Sequence, residues 1–201
     1  MSKPVIGFIG LGLMGGNMVE NLQKKGYELN VMDLNKDAVA ACVARGASAV
    51  SSAKELAEAS DIVMLCLTTS AIVEKVMYAE DGILAGMKEG SVLVDFGTSI
   101  PASTRKIGAD LAEKGVGMID APLGRTPAHA KDGLLNIMAA GDIETFNKVK
   151  PVLEDQGENV FHLGALGAGH TTKLINNFMG MTTVCAMSQA FAVADLAGVD
   201  R

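Results

Sequence analysis

Residues 5–15 read Val-Ile-Gly-Phe-Ile-Gly-Leu-Gly-Leu-Met-Gly, and this stretch decides the fold. The apolar run from Val5 to Ile9 has the length of a buried strand and leads directly into Gly10-Leu11-Gly12-Leu13-Met14-Gly15, a G-x-G-x-x-G turn. Met14, Met18 and Leu22 then recur at helical spacing until Gly26 stops the helix, and a second strand-like run, Glu28 to Asp33, ends on an acid 18 residues after Gly15. Strand, glycine turn, helix and terminal acid together make the dinucleotide-binding fingerprint. Gly10 permits the tight turn, Gly12 lets backbone approach a pyrophosphate, and Gly15 lets helix and strand pack closely, while the N–H groups of the helix start face the anion. Asp33 can accept hydrogen bonds from both ribose hydroxyls, and its charge repels a 2′-phosphate. The following Leu34-Asn35-Lys36 supplies one cation and no arginine, so NAD is expected in preference to NADP.

Outward from this unit the same beat continues. Strand-like runs fall at Asp61 to Leu67, Val92 to Phe96, Gly117 to Asp120, Leu135 to Ala140 and Val160 to Leu163. Several are apolar throughout, as strands covered on both faces must be. Between them Ser52 and Glu55 read as a capping box, and Pro101, after Ser99, reads as a first helical turn. The expected architecture is α/β, a Rossmann-type doubly wound, mainly parallel sheet followed by a long C-terminal helix from about His170 to Leu196, spanning roughly 40 Å. Residues 1–168 are assigned to the dinucleotide-binding domain and 169–201 to a helix that leads into a further helical domain.

Composition narrows the function. Among 201 residues 49% are hydrophobic and 20% charged, with a net charge of -6, which suits a globular protein with a sizeable core and offers no basic footprint for nucleic acid or an anionic membrane. Cys42, Cys66 and Cys185 are far apart and odd in number, so neither a disulfide frame nor a zinc site is expected. His129, His162 and His170 suggest no three-ligand metal set, and His129 and His170 read most simply as solvated loop histidines. The twelve methionines read as core filling. The start, MSKPVIGFIG, lacks a secretory h-region and reads as cytoplasmic. The uncharged stretch Leu174 to Ala194 is long enough for a membrane span, but Asn176, Asn177, Thr182, Thr183, Ser188 and Gln189 argue for a helix buried by protein. On that helix Lys173, Asn176, Asn177 and Gly180 share one face, a polar stripe that must find partners or solvent.

Four ordered motifs, GFIGLGLMGGNM from Gly7, DFGTSIP from Asp95, DAPLGRTPAHAKDG from Asp120 and GALGAGHTTKLINN from Gly164, resemble those of the β-hydroxyacid dehydrogenases, of the 3-hydroxyisobutyrate dehydrogenase type. The resemblance covers the whole chain and implies an oxidoreductase acting on a small anionic semialdehyde or hydroxy acid. It implies that Leu13, Met14, Leu67 and Thr98 touch the cofactor, with Thr98 near the nicotinamide. Independently, Leu67 and Thr98 stand at or just past strand ends, where open parallel sheets bind ligands. By the same resemblance Lys173 is the catalytic acid and base: hydride arriving at a carbonyl carbon leaves negative charge on oxygen, to which an ammonium can give its proton. Asn176 would hold the reacting oxygen, and Asn177 the anionic end of the substrate or the helix packing.

One motif departs from the common family pattern. After Asp-Ala-Pro that pattern continues Val-Ser-Gly-Gly, whereas here Leu123-Gly124-Arg125-Thr126 stands. A forked guanidinium replaces a glycine, which suits a larger or differently placed anion. The Gly124-Arg125-Thr126 variant is similar to that of the members that reduce 3-sulfolactaldehyde, with Arg125 on the sulfonate; those members carry a serine where Gly180 stands. Carboxylated semialdehydes such as succinic, methylmalonic or tartronic are the alternative substrates, and a non-catalytic NAD-binding module is the alternative outside enzymes. Family members continue into a helical domain. Without it the apolar sides of the last helix around Phe178, Met181, Val184, Met187, Phe191 and Val193 lack cover, so a homo-oligomer, most simply a dimer, is expected.

Overall fold

The computed structural model describes residues 3–200. The apolar runs become four-residue strands: β1 (Ile6–Ile9), β2 (Leu29–Met32), β4 (Ile62–Leu65), β5 (Val92–Asp95) and β6 (Gly117–Asp120), with the two-residue β3 (Ser48–Ala49) at one edge. They form a wholly parallel sheet in the order β3-β2-β1-β4-β5-β6, in register with Ile6 opposite both Leu29 and Ile62. This order reverses direction at β1, between β2 and β4, and that reversal opens the ligand crevice of such sheets at the carboxyl ends of the strands.

Successive side chains leave opposite faces of a strand, and each face here has its own core. Ile6, Phe8, Val31, Met64 and Val94 face one cluster with Met18 and Leu22 of α1 (Leu13–Lys24); Ile9, Val63, Leu65 and Leu93 face the other with Leu56, Met77 and Ile107. Both clusters exclude water from large aliphatic and aromatic groups, each worth about 1.5–3 kcal/mol when fully buried. Five buried methionines, Met18, Met64, Met77, Met87 and Met118, fill the cores as expected, while Met179, Met181 and Met187 are exposed on the last helix.

The helix signals hold with one correction. Ser52 caps α3 (Ala53–Glu58) by accepting from Glu55 N, but the Glu55 carboxylate takes the N–H of Ser51 instead of Ser52, so the box is displaced by one residue. Pro101 opens α6 (Pro101–Ala112) as expected, with Ile100 at the cap position and the Ser99 hydroxyl donating to Asp95.

The mainly parallel Rossmann sheet is as expected, and a second, smaller sheet stands beside it. Leu135–Ala139 (β8) and Gly157–His162 (β9) form a second sheet with β7 (Leu123–Gly124) in the order β7-β8-β9, β7 running antiparallel to β8. A bridge between Asp120 and Ala140 joins the two sheets. Leu135, Ile137 and Ala139 enter the first core beside Phe146, Val149, Val152 and Leu153 of α8 (Ile143–Gln156). The two-residue strands β3 and β7 are too short to show periodicity.

The last helix, α9 (Ala168–Leu196), begins two residues before the expected start. Only Gly169 and His170 of it are buried. Phe178 is 71% exposed, and Met181, Val184, Met187 and Val193 are exposed on the same helix. Among the described residues no helix is long and apolar enough to cross a membrane.

Candidate functional site

The turn after β1 has the shape its glycines predict. Gly10 has φ +99, and a methyl group there would lie 2.4 Å from the Cys66 carbonyl at the end of β4. At Gly15 a methyl group would meet the Gly10 carbonyl at 1.9 Å, so only glycine lets α1 start against the turn. Gly12 faces open space, the cradle expected for a pyrophosphate. Leu11 is buried beneath the turn, Leu13 is 82% exposed at its rim and Met14 is half-buried. Asp33, one residue past β2, accepts from Leu11 N at 2.6 Å on one carboxylate oxygen and from Asn35 N at 2.7 Å on the other. Each oxygen retains a further lone pair for a ribose hydroxyl. The carboxylate thus ties the phosphate turn to the ribose end, and the residues present fit NAD.

Leu67 is half-buried just past β4, with its side chain near Gly10, and Thr98 is exposed two positions beyond Phe96. Thr98 does not cap α6. Burial pushes the Cys66 thiol up to about 11, so it stays a packed thiol beside this crevice.

Beside the turn the structure assembles a cluster of groups the sequence reading missed. Asp95 and Asp120 end β5 and β6, and both are buried. Asp95 accepts from Gly97 N and from the Ser99 hydroxyl, each at 2.8 Å, and so holds the loop that carries Thr98. Asp120 accepts from Gly167 N and His170 N, each at 2.7 Å, and so caps α9 from across the sheet. Burial pushes the Asp95 carboxyl up, and the neighbouring His170 opposes that shift. His170 itself is fully buried, its Nδ1 2.8 Å from the Thr104 hydroxyl. This corrects the expectation of a solvated loop histidine. Its counterpart His129 is half-buried, with Nδ1 2.7 Å from the Thr126 hydroxyl. A signal for the acids existed in the chain: each closes an apolar run and opens one of the quoted motifs, where a charge is costly unless bonded.

Lys173 lies one turn beyond this cluster, half-buried, and burial lowers its pKa below the usual lysine range. Asn176, Asn177 and Gly180 continue the stripe along α9 and are exposed. Gly124 is half-buried in β7, while Arg125 and Thr126 are exposed in the loop that follows. Arg125 has φ +75, a conformation that favours the glycine of the common family pattern. Its guanidinium is no open fork: it donates to the Leu134 carbonyl at 2.7 Å and pairs with the Glu158 carboxylate at 2.5 Å. Among the described residues no three His, Cys, Asp or Glu side chains come together as metal ligands.

Residues 5–164 match the family described as the NAD binding domain of 6-phosphogluconate dehydrogenase. The chain belongs to that family. This NAD-binding domain is 40% identical over 195 residues to an NAD-dependent L-serine dehydrogenase of Pseudomonas aeruginosa, a match covering 97% of this chain and 65% of the relative. It is 33% identical over 190 residues to a 3-sulfolactaldehyde reductase of Escherichia coli, covering 94% of this chain and 64% of the relative. The solved Mycobacterium tuberculosis 3-hydroxyisobutyrate dehydrogenase with L-serine superposes with a TM-score of 0.92 at 29% identity, over 99% of this chain and 67% of that one. The chain thus spans about two thirds of the length of the curated relatives it matches. It is an NAD-binding domain of the 3-hydroxyisobutyrate dehydrogenase-like group with a Rossmann fold.

Proposed function

We propose that the protein interconverts a small semialdehyde carrying an anionic head group and its primary alcohol. NAD, when bound, supplies or removes the hydride at the carbonyl carbon. Gly10, Gly12 and the start of α1 hold the pyrophosphate, Asp33 the ribose, and Leu13, Met14, Leu67 and Thr98 line the cofactor. Lys173 gives a proton to the carbonyl oxygen and takes it back in reverse, with Asn176 steadying that oxygen and Asn177 and Gly180 beside the head group. The observation that carries this reading is a half-buried lysine of lowered pKa, one turn past a buried cap that ties it to the cofactor-side strand ends.

For the head group we propose a sulfonate, with 3-sulfolactaldehyde as substrate, held by Gly124, Arg125 and Thr126. A non-glycine residue at φ +75 costs about 1–2 kcal/mol, and such strain is kept where a side chain is needed. The bond of Arg125 to Glu158 favours a second reading, a carboxylated substrate such as succinic, methylmalonic or tartronic semialdehyde or L-serine, because the fork already has an anion. Comparing kcat/KM across these substrates separates the two. With a sulfonate bound, Arg125→Gly raises its KM by about tenfold or more, the scale of a lost charge-assisted hydrogen bond, and spares the carboxylates. An unchanged preference would sink the sulfonate assignment, and no turnover of any member of the panel would sink the enzymatic one.

We further divide the chain at residue 168, with α9 belonging to a separate helical unit. The exposed apolar side of α9 around Phe178, Met181 and Val184 is covered by a second copy in this proposal, since open area of that kind drives self-association. Light scattering at micromolar concentration then returns the mass of a dimer; a monomer would refute the pairing.

A further inference from the structure

Four groups far apart in the sequence close on one buried point: the carboxylates of Asp95 and Asp120, the hydroxyl of Thr104 on α6, and the imidazole of His170 in the first turn of α9. His170 Nδ1 is 3.8 Å from Asp120 Oδ2, and Nε2 is 3.7 Å from Asp95 Oδ2. Among the described residues Nε2 has no hydrogen-bond partner. A buried polar atom left unpaired costs about 1–3 kcal/mol, so packing alone would favour an apolar ring at this place. The imidazole must be held there for what its other atoms do.

Those atoms constrain α9 in complementary ways. Asp120 takes two backbone N–H groups at the helix start, which fixes how far the helix enters the molecule. The imidazole adds a side-chain constraint on the rotation of the helix, because it projects from the first turn and is bonded to Thr104 on α6. Gly169 permits this depth: a methyl group there would lie 2.3 Å from the Met138 carbonyl and 2.9 Å from Asp120 Oδ2. Asp95, against the far side of the ring, also holds the loop that bears Thr98 through Gly97 N and the Ser99 hydroxyl. Lys173 is three residues past His170 and shares its face of the helix, with Cβ atoms about 5–6 Å apart.

We infer that His170 is a positioning residue: gripped by Thr104 between Asp95 and Asp120, it sets the rotation of α9 and thereby the place of Lys173 relative to Thr98. This rests on the role given to Lys173 above. A shift of about 1 Å in a reacting group can cost about 10² in rate, so a clasp of this kind belongs to the reaction even though it touches no substrate.

The test follows Lys173 without needing turnover. In the full chain with NADH bound, reductive methylation by formaldehyde and cyanoborohydride is timed at Lys173 by peptide mass spectrometry, with the other lysines as internal references. His170→Ala, and Thr104→Val as the variant of nearly unchanged shape, raise the Lys173 rate about threefold or more as the first turn loosens, while Thr104→Ser returns it to the parent value. In the same two variants kcat falls by about fivefold or more, with a smaller change in KM and with NADH affinity held within about twofold. A Lys173 methylation rate unchanged in both variants overturns the inference. Absence of any turnover in the parent chain counts against the enzymatic reading alone, since the labelling still reports where Lys173 sits.

Discussion

In the role proposed for Lys173, its ammonium acts on the carbonyl oxygen and not on the dinucleotide, so replacing it by alanine is expected to lower kcat by about 10² or more and to leave NADH affinity within about twofold. The half-burial of Lys173 sharpens this expectation. Loss of hydration disfavours the charged form and lowers the pKa, which brings proton donation and recovery closer to neutral pH. The sign with pH follows from the role. In the direction of reduction the ammonium is the active form, so kcat falls as pH rises through the depressed pKa, earlier than an ordinary lysine would cause. In the direction of oxidation the neutral amine is the active form, so the rate rises over the same interval. Steady-state profiles in both directions measure this, and Lys173→Ala removes the limb. A variant that keeps half the parent rate would assign the proton to another group.

The second large effect concerns the choice of dinucleotide. Asp33 is held by Leu11 N and Asn35 N, so its carboxylate cannot swing away from a 2′-phosphate without giving up both bonds. A like-charge contact in a partly buried crevice costs several kcal/mol, and NADH therefore binds more tightly than NADPH by at least about tenfold. Asp33→Asn keeps an oxygen able to accept from Leu11 N and removes the charge, so most of the discrimination disappears while NADH affinity falls only modestly. Calorimetric dissociation constants for the two cofactors decide it, and equal values for the parent chain would place the selectivity elsewhere.

The phosphate turn was legible in the chain because every part of it is local. Gly10, Gly12 and Gly15 act within one turn, and the apolar run before them marks a strand whatever partners it finds, so period and spacing suffice to place them. The long helix was legible for the same reason, to within two residues. The second sheet was not: β7 is two residues long, and its antiparallel pairing with β8 depends on the loop between them and not on any pattern within either. Arg125 shows a related limit. Its residue type suggested a free anion-binding fork, yet Glu158, 33 positions away in the sequence, is brought beside it by the pairing of β8 with both β7 and β9.

The α/β class, the Rossmann turn with its terminal acid and the polar stripe of α9 can be read from the chain alone, since they follow from side-chain periods and backbone conformations of near neighbours. That Asp95, Thr104, Asp120 and His170 form one buried cluster, with His170 inside and not in solvent, emerges in the folded chain. Those four lie on separate elements, and parallel crossovers bring them to one end of the sheet. Whether a histidine is solvated or clasped depends on which groups arrive beside it, and no local pattern carries that information.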